Sequence, residues 1–126
     1  MKRVMFASFI LMVSMAAMAQ EVMDDGSKVV LPLEAQQCDL PSAPAPIPEI
    51  PEKSDLLKAQ KNVRQFQTDM EVYRNCVNKD ADNKELSAGN VQAISNAHNY
   101  SVNMEERVAH MFNEAVRAYK ANLAKD

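Results

Sequence analysis

Two cysteines, two histidines and a spaced set of glutamates are the residues of this 126-residue chain whose types could do chemistry. Cys38 and Cys76 can form one intramolecular disulfide if the chain reaches an oxidising compartment. Glu106, His110 and Glu114 stand four residues apart on one helical face, and imidazole with carboxylate at that spacing can hold Zn²⁺ or Ni²⁺. Asn113 and Arg117 share that face, which lies opposite the apolar stripe, so an ordinary solvated face with i, i+4 pairs accounts for it better. No metal is assigned, and this triplet is the one metal candidate. His98, Ser101 and Glu105 lie nearer the stripe. They could form a polar layer that fixes helix register, with Arg64 or Gln67 as partner; the reading adopted is that a slight twist brings His98 and Glu105 to water. A nucleophilic site needs a base and an oxyanion hole. The chain has only two glycines and no serine on a strained turn, so no catalytic residue and no cofactor is expected. Asn99-Tyr100-Ser101 matches a glycosylation sequon but falls in the middle of a helix.

Whether the cysteines oxidise depends on address. Lys2 and Arg3 precede an apolar run, Val4 to Ala16, and Ala17-Met18-Ala19 forms a small-x-small cleavage site before Gln20. The run is too short to span a bilayer, so residues 1–19 read as a secretion signal. Retention of that segment as an anchor is the alternative. No cysteine follows the run closely enough for lipidation. Cleavage leaves about 107 residues, enough for one small domain. With Lys2 and Arg3 gone, 12 basic residues face 17 acidic ones, a net charge of −5. An acidic chain without a basic patch argues against nucleic acid and anionic membrane surfaces. The mature chain would work in the periplasm or outside the cell, with no membrane span.

The elements follow from the pattern. Residues 20–37 are polar apart from Val29-Val30-Leu31-Pro32-Leu33, and read as either a short extended piece or a disordered one. Residues 38–53 are Pro-rich, and five prolines there exclude helix and favour polyproline II. Residues 54–126 read as a helical hairpin. Ser54 or Asp55 is expected to cap a first helix running to about Lys79. A polar connection, Asp80 to Glu85, leads to a second helix that starts between Ser87 and Asn90 and ends near Lys125. Leu56, Ala59, Val63, Phe66, Met70, Tyr73 and Val77 alternate steps of three and four. Ile94, Ala97, Ser101, Met104, Val108, Met111, Ala115, Ala118 and Asn122 do the same. Two such seams joined by a short connection predict an all-α, coiled-coil-like antiparallel hairpin. The second helix is the longer, about 55 Å against about 37 Å. Its expected overhang is the C-terminal end, with Tyr119 and Leu123.

Cys38, Pro41, Pro44, Ile47 and Ile50 recur every third residue, which is one face of a polyproline II helix. From Cys38 to Ser54 such a segment reaches about 50 Å. From Ser54 to Cys76 the helix needs about 33 Å. A Cys38–Cys76 bond is therefore within reach if the segment runs back along the first helix and packs on its flank. A free Cys76, an intermolecular bond and an unstructured linker are the alternatives. Closing that loop would stabilise the domain by about 4 kcal/mol in the chain-entropy model.

Several motifs carry a resemblance: Ile47-Pro48, Ala59-Gln60, Phe66, Tyr73-Arg74-Asn75-Cys76, and the run from Phe112-Asn113 through Val116-Arg117 to Tyr119-Lys120. With the Pro-rich stretch after Cys38, this pattern resembles a group of uncharacterised small exported proteins of proteobacteria. The resemblance spans Cys38 to Lys120 and implies a two-helix exported module with no activity attached.

A thin core with few aromatics and an uncovered end both call for a partner. The expected function is a non-catalytic exported interaction module that binds a protein partner or itself, with Tyr119 and Leu123 as the partner surface rather than the Asp80–Glu85 connection. The alternatives are a periplasmic chaperone or stress adaptor, and a metal-sensing hairpin using His110 and its neighbours. The Leu-Thr-x-x-Gln repeats and trimerisation body of helical-hairpin chaperones are missing from the sequence.

Overall fold

The computed structural model describes residues 21–125. The residues read as a signal, and the junction at Gln20, lie outside them. The fold is all-α. Helices α1 (Lys53–Asn78) and α2 (Ala88–Leu123) form a hairpin, and a short 3-10 turn, Ala35–Gln37, packs against α1. No described helix is long and apolar enough to cross a membrane.

Each helix starts on a local polar exchange. α1 contains no Gly or Pro, and Pro51, buried just ahead of it, ends the extended segment. Its N-cap is Glu52 rather than Ser54 or Asp55. The Glu52 N–H donates to the Asp55 carboxylate at 2.9 Å, so Asp55 closes a capping box from the third helical position. Ser and Asp are better N-caps than Glu in isolation; here Pro51 sets where the chain turns. α2 begins at the expected place. The Ser87 hydroxyl accepts from the Asn90 N–H at 3.0 Å, and the Asn90 side-chain Oδ1 accepts from the Ser87 N–H at 3.3 Å.

The core is the seam. Ala59, Val63, Phe66, Met70, Tyr73 and Val77 of α1 are buried, and Leu56 is half-buried. On α2, Ile94, Ser101, Val108 and Ala115 are buried at seven-residue steps, with Ala97, Met104 and Met111 half-buried between them. A seven-residue repeat keeps one face of a helix against its partner. Met70 is fully enclosed, and removing such a side chain from water contributes about 1.5–3 kcal/mol. Burial also raises the Tyr73 phenol above its ordinary range, with Tyr100 adding to the effect.

One polar layer crosses the seam. Ser101 is fully buried; its hydroxyl donates to the His98 carbonyl at 2.6 Å and accepts from Arg74 Nη1 at 3.4 Å. Arg74 Nη1 also pairs with Glu105 at 3.1 Å, with side-chain exposures of 20% and 24%. Glu105 is therefore held in a polar layer, and Arg74 is its partner rather than Arg64 or Gln67. His98 is exposed, and Glu105, though paired, keeps about a quarter of its side chain in water.

That layer sets the register of the hairpin. With Arg74 level with Ser101 to Glu105, the last turn of α1 lies beside residues near Ala97. Roughly the first nine residues of α2 run past it, some 13 Å of helix. The overhang is thus at the start of α2. The expectation placed it at Tyr119 and Leu123; the Arg74 contacts with Ser101 and Glu105 shift it to the other end.

The Pro-rich segment packs as its period demands. Cys38, Pro41, Pro44 and Ile47 are half-buried while the residues between them are exposed. Ile50 breaks the series at 69% exposed, and Pro51 turns inward instead. Cys38 is bonded to Cys76, with a Cα–Cα distance of 5.8 Å. The segment therefore runs back along α1, from its last turn to its first.

Candidate functional site

The overhanging start of α2 does not stand alone. Residues 21–37, left open between extended and disordered, fold onto it. Gly26, at φ +86°, allows a tight turn that pairs Val22 with Lys28 as an isolated antiparallel bridge. Asp25 accepts from the Ser27 hydroxyl at 2.6 Å and from its N–H at 2.9 Å. These bonds, the hydroxyl first, hold the Asp25 carboxyl below its ordinary range. Ser27 Oγ in turn accepts from the Gly89 N–H at 2.9 Å. A carboxylate is thereby relayed onto the positive end of α2, where it is favourable. One residue further along α2, the Asn90 side-chain amide donates to the Val30 carbonyl at 2.7 Å.

The chain then turns toward α1. Leu31 packs on the core, and the Gln36 amide donates to the Leu31 carbonyl at 2.8 Å. Ala35 is buried, and the 3-10 turn delivers Cys38 to Cys76. The helix connection is equally built. Ala81 N–H donates to the Asn78 carbonyl, Asn83 N–H to Asp80 and Leu86 N–H to Asn83.

Between these walls lies an open groove of about 950 Å³. One wall runs from Val30 to Gln37, another from Cys76 to Asp80, and the third from Leu86 to Ile94. Its floor is apolar: Val77 and Ile94 are buried, with Leu31 and Leu86 packed beside them. At its mouth Leu33 is 80% exposed. Glu34 and Asp80 both line the groove. A hydrogen bond shared with the Asp80 carboxyl, followed by repulsion from its charge, raises the Glu34 carboxyl above its ordinary range, while nearby Lys79 acts in the opposite direction.

The residues singled out from sequence fall elsewhere, except the disulfide. Cys76 lines the groove and so ties its first wall to its second. Glu106, His110 and Glu114 are exposed on α2, and among the described residues no group of three His, Cys, Asp or Glu is placed to hold a metal ion. Tyr119 is half-buried and Leu123 is 53% exposed at the opposite end of the hairpin. The groove lining combines Val77, Leu86 and Ile94 with Glu34, Asp80 and the side-chain amides of Gln36, Gln37, Asn83 and Asn90.

Sequence reasoning missed Ser27, Gly89, Glu34 and Asp80. Asp25-Gly26 was a legible turn signal. Gly89, inside the first turn of a helix, was a second, since glycine there costs helix stability unless something packs against it. A Cβ at position 89 would collide with the Lys28 carbonyl.

Comparison with protein-family models, with curated proteins and with solved structures finds no match to this chain.

Proposed function

We propose that this chain is an exported, non-catalytic helical interaction module, working in the periplasm or outside the cell, and that its binding surface is the groove at the head of the hairpin. The observation that carries the reading is the groove itself. A segment with little core of its own is docked on α2 and stapled to α1, and between it and the two helices lies an open groove of mixed polar and apolar lining. An intramolecular disulfide is compatible with an oxidising location. The signal-like residues 1–19 and the resemblance to small exported proteobacterial proteins point the same way. Leu123, 53% exposed, and Leu57, 59% exposed, support the opposite end as a second surface.

A photo-crosslinking residue placed at Leu33, and separately at Leu123, distinguishes the two in cells that export the full chain. Adducts from position 33 are expected. Adducts from position 123 alone would move the site to the far end, and none from either would remove the interaction role.

A further inference from the structure

The hairpin is electrically two-ended. Its head is made of residues 21–40 and 79–98, held together by the Ser27–Gly89 and Val30–Asn90 hydrogen bonds and tied to α1 by the disulfide. It carries eight acidic side chains against three basic ones. The opposite end is made of residues 49–64 and 113–125. With Arg74 level with Ser101 and Glu105, the antiparallel helices bring Leu57 level with residues close to Lys120. Here seven basic side chains, Lys58, Lys61, Arg117 and Lys120 among them, stand against four acidic ones, or five with Asp126, which follows in sequence. The positive excess of an acidic chain is thus confined to one end.

Exposed hydrocarbon is sorted in the same way. Of the ten large apolar side chains exposed among the described residues, only Val72 and Tyr100 lie between the two ends. Val30 and Leu33 stand on the groove wall at the head, and Ile50, Leu57 and Leu123 at the opposite end. Each end therefore offers apolar surface among charges of one prevailing sign. Two heads repel one another, as do two opposite ends, whereas a head attracts an opposite end. Both halves of that match are present on one chain, so the complementary partner is another copy of it. The groove is open and, at about 950 Å³, as large as a site for a whole small molecule, so it has room for several side chains.

We infer that the chain associates with itself head to tail, the Ile50, Leu57 and Leu123 end of one copy docking on the acidic groove wall of Val30 and Leu33 in the next. This rests on the reading of the chain as an interaction module and names its partner. Such a contact uses different surfaces on the two copies and leaves one of each free, so association continues past the dimer unless a ring closes. The test is sedimentation of the oxidised mature chain across a concentration series, at low and at high salt. The parent should associate with rising concentration, and more weakly at high salt. Leu33→Ser and the Leu57→Ser/Leu123→Ser double variant, all at exposed positions, should each weaken self-association at least tenfold with helicity unchanged. An equimolar mixture of the two variants should form a one-to-one complex as tight as the parent contact, because it retains one intact head and one intact opposite end. A parent that stays monomeric at millimolar concentration, variants that associate as the parent does, a mixture that stays monomeric, or association indifferent to salt would each overturn the inference. Cross-linking from position 33 in cells is scored separately: adducts to other proteins beside a monomeric parent keep the interaction reading and reject the second copy as partner.

Discussion

The Gly89 N–H donates to the Ser27 hydroxyl at 2.9 Å, across 62 residues of sequence. This bond ties a segment that sequence alone left open between extended and disordered to the first turn of a core helix. It is possible only because position 89 has no side chain, so that the Lys28 backbone can lie directly on α2. The groove exists because of that close approach.

Gly89→Ala tests the docking directly. Alanine favours the helix by roughly 1 kcal/mol over glycine. The collision with the Lys28 backbone outweighs this if the segment stays docked, at about 1–3 kcal/mol for overpacking. The expected outcome is release of residues 21–31, read as new protease cleavage near Lys28 with α-helical circular dichroism preserved. Ser27→Ala removes the bond without a clash and should lower stability by only about 1 kcal/mol. Resistance of Gly89→Ala to protease equal to the parent would mean that the segment does not pack as described.

The disulfide holds the Pro-rich segment by its end. Residues 39–50 make no backbone hydrogen bonds to the helices, and their inward side chains are only half-buried. Cys38 and Cys76 are 38 residues apart, so reduction should cost about 4 kcal/mol in the chain-entropy model. With only part of the seam affected, the segment should become protease-sensitive in its Pro-rich stretch before helicity is lost. Non-reducing mass spectrometry should show no free thiol in exported protein. Simultaneous loss of helix and segment on titration with reductant would mean that the hairpin cannot stand without its staple.

Two substitutions separate the apolar core from its polar layer. Phe66 is 3% exposed in the seam, and Phe66→Ala should cost about 3–5 kcal/mol in urea melts. Arg74→Ala should cost about 1–3 kcal/mol, because it leaves the partly buried Glu105 and the buried Ser101 short of a partner. Pairing it with Glu105→Ala in a double-mutant cycle should recover part of that loss. Additive effects would show that the ion pair does not couple the helices.

The seam was legible because its information is local to each helix: apolar residues at steps of three and four define a face without reference to anything else. The proline face was legible for the same reason, with a period of three. The disulfide followed from the reach of the Pro-rich segment, about 50 Å, which exceeds the length of helix it must run back along, about 33 Å. The groove was not legible, because its walls come from residues 30–37, 76–80 and 86–94, and no periodic signal links them. The overhang was misplaced on one missing quantity. Helix lengths say how much one helix exceeds the other, whereas the end at which it does so depends on Arg74 meeting Glu105 rather than a residue two turns away. A buried serine at a seam position was the clue that a polar partner stood opposite.

Acid titration should move the two walls of the head in opposite directions. The Asp25 carboxyl is held below its ordinary value of 3.8 by the Ser27 hydroxyl and N–H. Its stabilising contribution is present above that value and is lost as pH falls through the depressed one. Glu34 behaves in the reverse sense. Its contact with Asp80 favours the protonated form and raises it above 4.5, so its contribution is complete below 4.5 and is lost as pH rises through the raised value. Urea midpoints measured from acid to neutral pH should therefore show a shallower acid decline in Asp25→Asn than in the parent. Glu34→Gln should remove the fall that the parent shows on going above 4.5, because the glutamine amide keeps a donor toward Asp80 without a charge to repel it. Parallel profiles for parent and Glu34→Gln would mean that Asp80 does not raise the Glu34 carboxyl.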